Sequence, residues 1–484
     1  MLLGGIGGDS HSVGLSILRH ALTKNGYDVC FLSIHNRLER FFELAHLVNV
    51  ALISTMDGHA ARYVREFPEL RRASSASDTL WYIGGNLTMG DALGVERQFL
   101  DLGFDRAFVK FADVRTVLSV LERDLQGREP KDYRALARSM RPPALDAKPV
   151  ADAKLEPDVF ARAHADVLQH WRTGHEARDI DDNAAFLLGQ PSFARAQQDV
   201  NEKGAQTLVQ PRSGVGSPRE QLRIFTTLRD VGARVLSYQV DSLTRNNDYA
   251  AVDEALREAR ETRVQTLNGF PVVNHGPHRL RRIISGVKVP LQTRHSTRDP
   301  RLLAEISYAG GVTAYEGGAI CYNIPYYKEY PLDESIRNWQ YVDRLTGLYH
   351  ERFGIVLDRE FFGTLTATLI PPCIAITTNI LESMLAVQQG VKSVSLGYAE
   401  QGHRTQDIAA VRTLDAMARE MLQNMGYKDV QVNTVFNQYM AAFPPDAKRS
   451  EELIFESGVT GRLAGATRII SKTPAESSRI PTVA

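Results

Sequence analysis

Hydrophobic positions in the first quarter of the chain follow two alternating periods. Short apolar runs of strand length are separated by segments whose apolar residues recur every three or four positions, the spacing of one helix face. Helical spacing is clear at residues 37–48 and 114–124. The runs predict five strands, at residues 2–6, 28–34, 50–55, 79–83 and 106–111. Strands that alternate with helices favour a small parallel sheet covered on both faces, over residues 1–126.

A segment of different composition follows this first region. Residues 127–155 carry prolines, alanines and charged residues with little apolar periodicity. Such composition is typical of a linker between domains.

A second alternation of strands and helices fills residues 156–484. Its apolar runs predict nine strands, at residues 206–210, 234–240, 264–270, 289–294, 311–315, 364–369, 393–398, 430–435 and 467–471. Recurrence of this kind is typical of a (β/α)8 TIM barrel, which has eight places for these nine candidates. The fold class predicted for the whole chain is therefore α/β, with two domains.

Composition argues against several classes of protein, among them nucleic-acid-binding, membrane and disulfide-rich proteins. The 484 residues include 57 basic and 57 acidic residues, so net charge indicates neither a nucleic-acid surface nor a membrane surface. Three cysteines provide no disulfide framework and no CxxC metal pair. No apolar run reaches membrane-spanning length, and the first residues lack the pattern of a signal peptide. We therefore expect a soluble cytoplasmic protein.

A D-x-H-x-x-G motif lies between the first predicted strand and the first predicted helix. Neutral histidine is a common metal ligand, and Asp9 is close enough in sequence to hold the second ring nitrogen of His11. Gly14 would let a bulky group approach the backbone. The motif by itself favours a loop histidine that is hydrogen-bonded near a helix start over a metal ligand.

Charged and aromatic side chains follow several predicted barrel strands, where TIM barrels place their catalytic residues. These side chains are Arg212, Arg245, Arg294, His295, Glu316, Tyr322 and Tyr326. Planar guanidinium groups bind carboxylates through paired hydrogen bonds, so three of them indicate a small dianionic substrate. Glu316 would balance an ammonium group, which points to an acidic amino acid. The alternative is that the arginines form salt bridges at the rim.

Several motifs resemble those of glutamate mutase (methylaspartate mutase). Residues 1–126 resemble its small, cobalamin-binding subunit, and residues 156–484 resemble its large, catalytic subunit. The motifs are DSHSVG, YIGGN, QPRSG, LNGFPVVNHG, QTRHSTRD, AYEGGAICYNIPY, NWQYVDRL, VQQGVKSVSLGY and ISKTPAE. The resemblance implies a flavodoxin-like (Rossmann-like) cobalamin-binding domain fused to a TIM-barrel catalytic domain.

The resemblance also implies the cofactor adenosylcobalamin. His11 matches the ligand on the lower face of cobalt, Asp9 matches the partner of that histidine, and Gly14 belongs to the same motif. Residues that match the loops around the nucleotide tail of the cofactor are Ser54, Gly58, Gly84, Gly85 and Asn86.

In the barrel, the resemblance implies a radical rearrangement that interconverts L-glutamate and (2S,3S)-3-methylaspartate. Arg212, Arg245 and Arg294 match an arginine claw that grips the substrate carboxylates. The remaining matches are Glu316 and Tyr322 at the substrate amine, His295 and Tyr326 elsewhere in the pocket, and Lys472 and Glu476 at the adenosyl ribose. A homodimer formed through the barrel is also expected.

One departure from the family concerns the end of the chain. The family's large subunit continues beyond the segment that matches residues 478–484, so we expect either a truncated form or a further chain that completes the barrel. Two alternatives to the mutase follow: a related enzyme with an altered acidic amino-acid substrate, and a cobalamin-binding carrier or sensor without catalysis.

Overall fold

The computed structural model divides into two compact units, Met1–Asp146 and Ala147–Ala484. The predicted linker lies largely outside the residues that the structure describes. The described residues are 1–9, 11, 13–74, 76, 78–89, 93–109, 112–131, 150, 153–204, 206–327, 330–441 and 443–474.

The first unit is a five-stranded parallel sheet with helices between its strands. Its strands are β1 (Leu2–Gly5), β2 (Cys30–Phe31), β3 (Val50–Thr55), β4 (Leu80–Gly85) and β5 (Arg106–Val109). Their order in the sheet is β2-β1-β3-β4-β5, with parallel pairing throughout. All five predicted strands of this unit are confirmed. The described helices are Val13–Lys24, Leu38–Ala45, Ala60–Tyr63, Phe67–Ala73, Val95–Asp101 and Val114–Leu125.

Alternate residues of the central strand β3 pack on opposite faces of this sheet. Val50 and Leu52 belong to one apolar cluster, whereas Ala51 and Ile53 belong to another. Because side chains alternate across a strand, a sheet buried on both faces requires a continuous apolar run. Burial of both faces leaves the ends of the strands as the places where polar residues can meet a ligand.

The second unit is built on a sheet of nine parallel segments that closes on itself. The segments are β6 (Leu208–Gln210), β7 (Arg212–Ser213), β8 (Leu236–Gln239), β9 (Leu291–Arg294), β10 (Ala314–Glu316), β11 (Asp358–Phe361), β12 (Ser393–Ala399), β13 (Gln431–Asn437) and β14 (Arg468–Ile470). Their order is β6-β14-β13-β12-β11-β10-β9-β8-β7.

Pro211 explains why nine segments form an eight-stranded barrel. It stands between β6 and β7 and has no N–H group, so it interrupts the hydrogen-bonded ladder of what is otherwise one strand. The part before Pro211 pairs with β14 and the part after it pairs with β8, which closes the ring. The predicted (β/α)8 barrel is therefore present.

Two of the nine predicted barrel strands are wrong, and one strand was missed. Residues 264–270 form a loop that buries Leu267 and Phe270, so their apolar character reflects burial without a strand. Residues 364–369 begin with a short 3-10 turn, Thr364–Thr366. The missed strand β11 carries three consecutive charged residues, a composition that does not resemble a buried strand.

Helices surround the barrel, and several helices precede its first strand. The α-helices are Pro157–Val167, Ile180–Leu188, Phe193–Lys203, Pro218–Asp230, Ser242–Arg245, Tyr249–Thr262, Val272–Val287, Arg301–Ala309, Ala319–Tyr326, Leu332–Phe353, Pro372–Gln388, Arg404–Asn424 and Ala447–Ala464, and a further 3-10 helix is Arg172–Ala177. None of the helices in the described part of the chain is long and apolar enough to span a membrane.

The helix Phe193–Lys203 covers the amino-terminal end of the barrel. Gln197 on this helix accepts hydrogen bonds from Ser395 and Arg468, whose side chains lie inside the barrel. The nine segments of the closed sheet all lie within the described residues. The opposite end, where the strands terminate, remains as the mouth of the barrel.

The interior of the barrel is polar and charged. Arg468 on β14 donates to Glu360 on β11 at 2.7 Å, and its guanidinium lies 3.8 Å from Asp358. Glu360 also accepts from Gln292 at 2.7 Å and from Arg294 at 2.8 Å. Because all five residues are buried, each charge depends on its neighbours for compensation.

Replacing Arg468 by methionine should destabilise the barrel strongly. The change leaves the buried carboxylates of Asp358 and Glu360 without that cation, and removing one partner of a buried ion pair costs about 3–5 kcal/mol. Urea denaturation of the full chain measures the loss. The matched control is Arg404→Met, because Arg404 pairs with Glu456 in solvent and such pairs contribute about 1 kcal/mol or less. Equal losses in the two variants would contradict the structural role of the buried charge network around Arg468.

Candidate active site

Side chains from several strand ends lie together at the mouth of the barrel, because all strands of a parallel barrel point the same way. Arg212 lies on β7 and Arg245 ends the short helix after β8. Arg294 ends β9, and Glu316 ends β10. The sequence-predicted residues of the barrel that belong to this mouth are Arg212, Arg245, Arg294, His295, Glu316, Tyr322, Tyr326 and Lys472.

Arg294 is held between two buried carboxylates. Its Nη2 donates to Glu316 at 2.8 Å, and its Nη1 donates to Glu360 at 2.8 Å. Its Nε is buried and has no hydrogen-bond partner among the described residues. The terminal nitrogens of this arginine are therefore engaged by the protein, whereas its Nε lacks an acceptor among the described residues.

The two carboxylates beside Arg294 have pKa values shifted in opposite directions. Desolvation raises the pKa of Glu316 to about 7, although the positive charges of Arg294 and Arg212 oppose that shift. Burial would likewise raise the pKa of Glu360, but Arg294 and Arg468 outweigh it and lower that pKa. The mouth thus holds one carboxylate that stays ionised and one that exchanges a proton near neutral pH.

His295 is a neutral hydrogen-bond donor in this site. Burial, reinforced by the nearby Arg359, lowers its pKa well below the usual value. Its Nδ1 accepts from the backbone N–H of Thr297 at 3.0 Å, so the proton of the neutral ring is on Nε2. That Nε2 is buried without a partner among the described residues. The site therefore holds a buried imidazole N–H without an acceptor among the described residues.

Two tyrosines lie beside this histidine. The hydroxyl of Tyr322 donates to the backbone carbonyl of His295. Burial and the nearby Glu316 raise the pKa of Tyr322, so its hydroxyl remains protonated. Tyr326 lies one helical turn further on, with its ring centroid 5.8 Å from that of Tyr322. The pair forms an aromatic wall beside the charged groups.

Arg212 and Arg245 differ from Arg294 because neither forms an ion pair with any residue in the described part of the chain. Arg245 donates to the hydroxyl of Ser296 at 3.2 Å, and its Nε is buried without a partner there. The sequence treats the three arginines as equivalent, whereas the structure separates one that is paired with two buried carboxylates from two that form no ion pair with a described residue.

The last strand contributes a lysine at the same rim. Lys472 follows β14 and is largely buried, and its backbone N–H donates to Gln438 at 2.9 Å. Glu476, its expected companion at the adenosyl ribose, lies outside the described residues.

In the first unit, His11 lies in the loop between β1 and the helix Val13–Lys24. Its Nδ1 is 2.5 Å from the carboxylate of Asp9, which is buried while the imidazole is 58% exposed. Burial alone would raise the pKa of Asp9, but His11 and the backbone N–H groups of His11 and Met56 lower it. An ionised carboxylate thus orients an exposed ring, as outer-sphere carboxylates do for metal-binding histidines.

The other predicted cofactor residues lie at the same edge of that sheet, at the ends of β3 and β4: Ser54, Gly58, Gly84, Gly85 and Asn86. A side chain at Gly85 would lie 2.1 Å from the carbonyl oxygen of Thr55, and one at Gly58 would lie 2.4 Å from the sulfur of Met89. These two glycines are therefore required by internal packing. By contrast, a Cβ on Gly14 would meet nothing within 4 Å.

Sequence reasoning missed several residues that organise the barrel site. Glu360 accepts from Arg294 inside the barrel and is itself held by Arg468. Arg359 donates to the backbone carbonyls of Tyr315 and Gly317 at 2.7 and 2.8 Å. The sequence offered little signal for them, because β11 carries three consecutive charged residues and β14 carries one.

The raised pKa of Glu316 predicts a specific pH dependence of stability. Because the folded protein holds this proton more tightly than the unfolded chain, stability falls as pH rises from the ordinary glutamate pKa of 4.5 to about 7. Glu316→Gln cannot titrate, so its unfolding free energy should fall less over that window. Denaturation of both proteins at several pH values measures the difference. Identical slopes would show that Glu316 has an ordinary pKa.

The sequence was compared with known proteins. The methylaspartate mutase E chain family matches residues 190–484. A glutamate mutase epsilon subunit from Desulfitobacterium hafniense is 44% identical over 331 residues, which are 68% of each chain. The corresponding protein of Escherichia coli O157:H7 is 42% identical over 333 residues, covering 68% of this chain and 69% of its own.

Among solved structures, phospho-2-dehydro-3-deoxyheptonate aldolase from Thermotoga maritima is similar with a TM-score of 0.33 and 13% identity, over 56% of this chain and 62% of that chain. The sequence matches cover the barrel and its charged mouth, and they are far above the similarity that a shared fold alone produces. The chain is an isomerase and belongs to the methylaspartate mutase E chain family.

Proposed function

We propose that this chain is an adenosylcobalamin-dependent radical carbon-skeleton mutase that interconverts L-glutamate and (2S,3S)-3-methylaspartate. The observation that carries the proposal is the barrel mouth of a mutase family member, in which Arg294 donates to Glu316 at 2.8 Å, the charge of Arg212 acts on the same carboxylate, and Arg245 stands at a neighbouring strand end. This is the charge pattern that an amino acid with two carboxylates and one ammonium group would neutralise.

The roles of the three arginines differ in this proposal. Arg212 and Arg245 supply the positive charge that attracts the two carboxylates. Arg294 is fixed by Glu316 and Glu360 and offers its Nε edge as a rigid donor. A fixed donor holds substrate fragments in one orientation while bonds rearrange, which is the main contribution of a protein to cofactor-driven chemistry.

Glu316 is the group assigned to the substrate ammonium. Its pKa of about 7 lets it exchange a proton near neutral pH, and a cation beside it would favour the ionised form. The Nε2–H of His295 and the hydroxyl of Tyr322 line the same site. Aromatic rings of Tyr322, Tyr326 and Trp339 pack around it and exclude water.

The first unit is assigned the cobalamin, as a flavodoxin-like domain whose strand order supports that classification. No group of three or more His, Cys, Asp or Glu in its described residues could hold a metal ion, so a metal bound through His11 must bring its other ligands. His11, whose exposed ring is oriented by Asp9, would hold the cobalt of the cofactor, and Gly14, where a Cβ would meet nothing within 4 Å, would leave room beside the loop.

When bound, adenosylcobalamin supplies the radical by homolysis of its cobalt–carbon bond. Lys472 would hold the adenosyl group at the rim of the barrel, on the side opposite to β10 in the ring. The chain's own residues then have three tasks: His11 holds the cofactor, the arginines hold the carboxylates, and the aromatic wall keeps water from reactive species.

The decisive experiment incubates the purified full chain with adenosylcobalamin and L-glutamate and measures 3-methylaspartate by chromatography. Formation of this product supports the mutase. Turnover of another acidic amino acid alone would support the altered-substrate enzyme. Tight cobalamin binding without turnover of any acidic amino acid would support the carrier or sensor.

His11→Ala should weaken cobalamin binding by at least about 10-fold, because changes around metal-bound histidines cost this much even outside the first coordination sphere. Equilibrium dialysis with adenosylcobalamin measures the dissociation constant. The matched control is His20→Ala, an exposed histidine on the following helix, which should bind like the wild type. Unchanged affinity in His11→Ala would refute the assigned cobalt ligand.

Arg245→Lys should raise the KM for glutamate by about 10-fold or more, since a lysine cannot reproduce the paired hydrogen bonds of a guanidinium. Cobalamin affinity should stay unchanged, because the substitution lies at the barrel mouth. Steady-state kinetics and dialysis report the two quantities separately. Arg404→Lys, on an outer helix, is the control that should leave both unchanged. A parallel loss of cofactor affinity in Arg245→Lys would argue against the assigned role.

A further inference from the structure

A buried glutamate lies at the start of the helix that carries the two site tyrosines. Glu382 belongs to the helix Pro372–Gln388, and its Oε1 accepts the backbone N–H groups of Ile320 and Cys321 at 2.8 and 2.9 Å. These are N–H groups of the first turn of the helix Ala319–Tyr326. Such groups have no partner within the helix, so the carboxylate satisfies donors that would otherwise be buried unpaired.

Placing a carboxylate here is unfavourable by itself. Glu382 is 2% exposed, and it takes part in no ion pair with any residue in the described part of the barrel. Burial raises its pKa, while the backbone N–H groups of Cys321 and Ile320 lower it in part. A buried carboxylate that is met by a helix terminus and the Cys321 thiol, with no cation beside it among the described residues, costs free energy, so its presence calls for a specific benefit.

The adjacent backbone is shaped to receive that carboxylate. A Cβ on Gly318 would lie 2.3 Å from Oε1 of Glu382, so any side chain there would displace it. Gly317 has a φ of +109°, and a Cβ there would lie 2.4 Å from the ring of Tyr322. The two glycines allow both the carboxylate and the tyrosine ring to contact the turn directly.

The turn held in this way connects the principal groups of the site. Glu316 immediately precedes it, and Tyr322 follows it by one helical turn and donates to the carbonyl of His295. On the barrel side, the N–H of Gly317 donates to the carbonyl of Glu360 at 2.8 Å, and Arg359 donates to the carbonyl of Gly317. Glu382 holds the other side of the turn, from a different helix.

We propose that Glu382 is a positioning residue for the mutase reaction: by anchoring the first turn of the helix Ala319–Tyr326, it sets the positions of Glu316 and Tyr322 relative to Arg294 and His295. The inference rests on the function proposed above and adds a residue that does not touch the substrate. A displacement of about 1 Å in such a constellation can reduce turnover by about 100-fold.

The test compares three variants of the full chain with the wild type. Glu382→Leu removes the acceptor and should lower kcat about 10- to 100-fold, with little change in cobalamin affinity. Glu382→Gln retains a carbonyl oxygen and should recover most of the activity. Ser383→Ala, a buried neighbour whose hydroxyl bonds to Asn379 at 2.8 Å on the same helix, is the control that should behave like the wild type.

Two further measurements separate positioning from a general loss of structure. Hydrogen exchange of the Ile320 and Cys321 amides should accelerate in Glu382→Leu, while exchange in β6–β14 should stay slow. In the pH profile of kcat/KM, the change that reflects ionisation of Glu316 should move to higher pH. A displaced Glu316 would lose part of the stabilisation that Arg294 gives to its ionised form.

The outcomes are distinguishable. A wild type without glutamate turnover overturns the proposed function, and the exchange measurement still tests the anchor. An active wild type with Glu382→Leu kinetics and pH profile unchanged overturns the positioning role. Exchange that accelerates throughout the barrel in Glu382→Leu would also overturn it, since the residue would then serve stability alone.

Discussion

The site depends on one buried guanidinium. Arg294 lies between Glu316 above and Glu360 below, and Glu360 in turn is held by Arg468. Because these residues are buried, none of their charges can be removed without leaving another uncompensated. This constraint fixes the direction of Arg294 and leaves its Nε without an acceptor among the described residues. It also gives the two carboxylates different pKa values: Glu360 stays ionised, whereas the pKa of Glu316 rises to about 7.

The same network of buried charges explains why the barrel interior is polar. TIM barrels usually fill this space with branched apolar side chains, whereas here Gln210, Gln292, Glu360 and Arg468 occupy its middle. These polar groups bond to one another, and Gln197 on the helix that covers the bottom accepts from Arg468, whereas Nη2 of Arg468 and Nε2 of Gln197 have no hydrogen-bond partner among the described residues. This hydrogen-bonded interior holds Glu360, which in turn holds Arg294.

A second layer of support lies outside the barrel. Arg359 reaches from the outer face of β11 to the turn after β10, and Glu382 reaches the same turn from a neighbouring helix. Both contact backbone atoms and neither points into the mouth. Opposite charges thus hold opposite faces of one glycine turn, and the side chains at its two ends, Glu316 and Tyr322, are the ones assigned to the substrate.

The sequence alone determined the alternation of strands and helices, seven of the eight barrel strands, and the strand ends at which the charged residues stand. It did so because strand and helix periods, and the position of a residue just after a strand, are local properties. Local reasoning also paired Asp9 with His11, since two residues in one loop are necessarily close.

Only the tertiary structure decided which charges compensate which. Arg294 and Glu360 are 66 positions apart, and Arg468 and Glu360 are 108 positions apart, so their contacts exist only once the barrel closes. The apolar segment 264–270 and the charged strand β11 were misread for the same reason. Burial and ion pairing depend on neighbours distant in sequence, and those neighbours determine whether an apolar run is a strand and whether a charged run can be one.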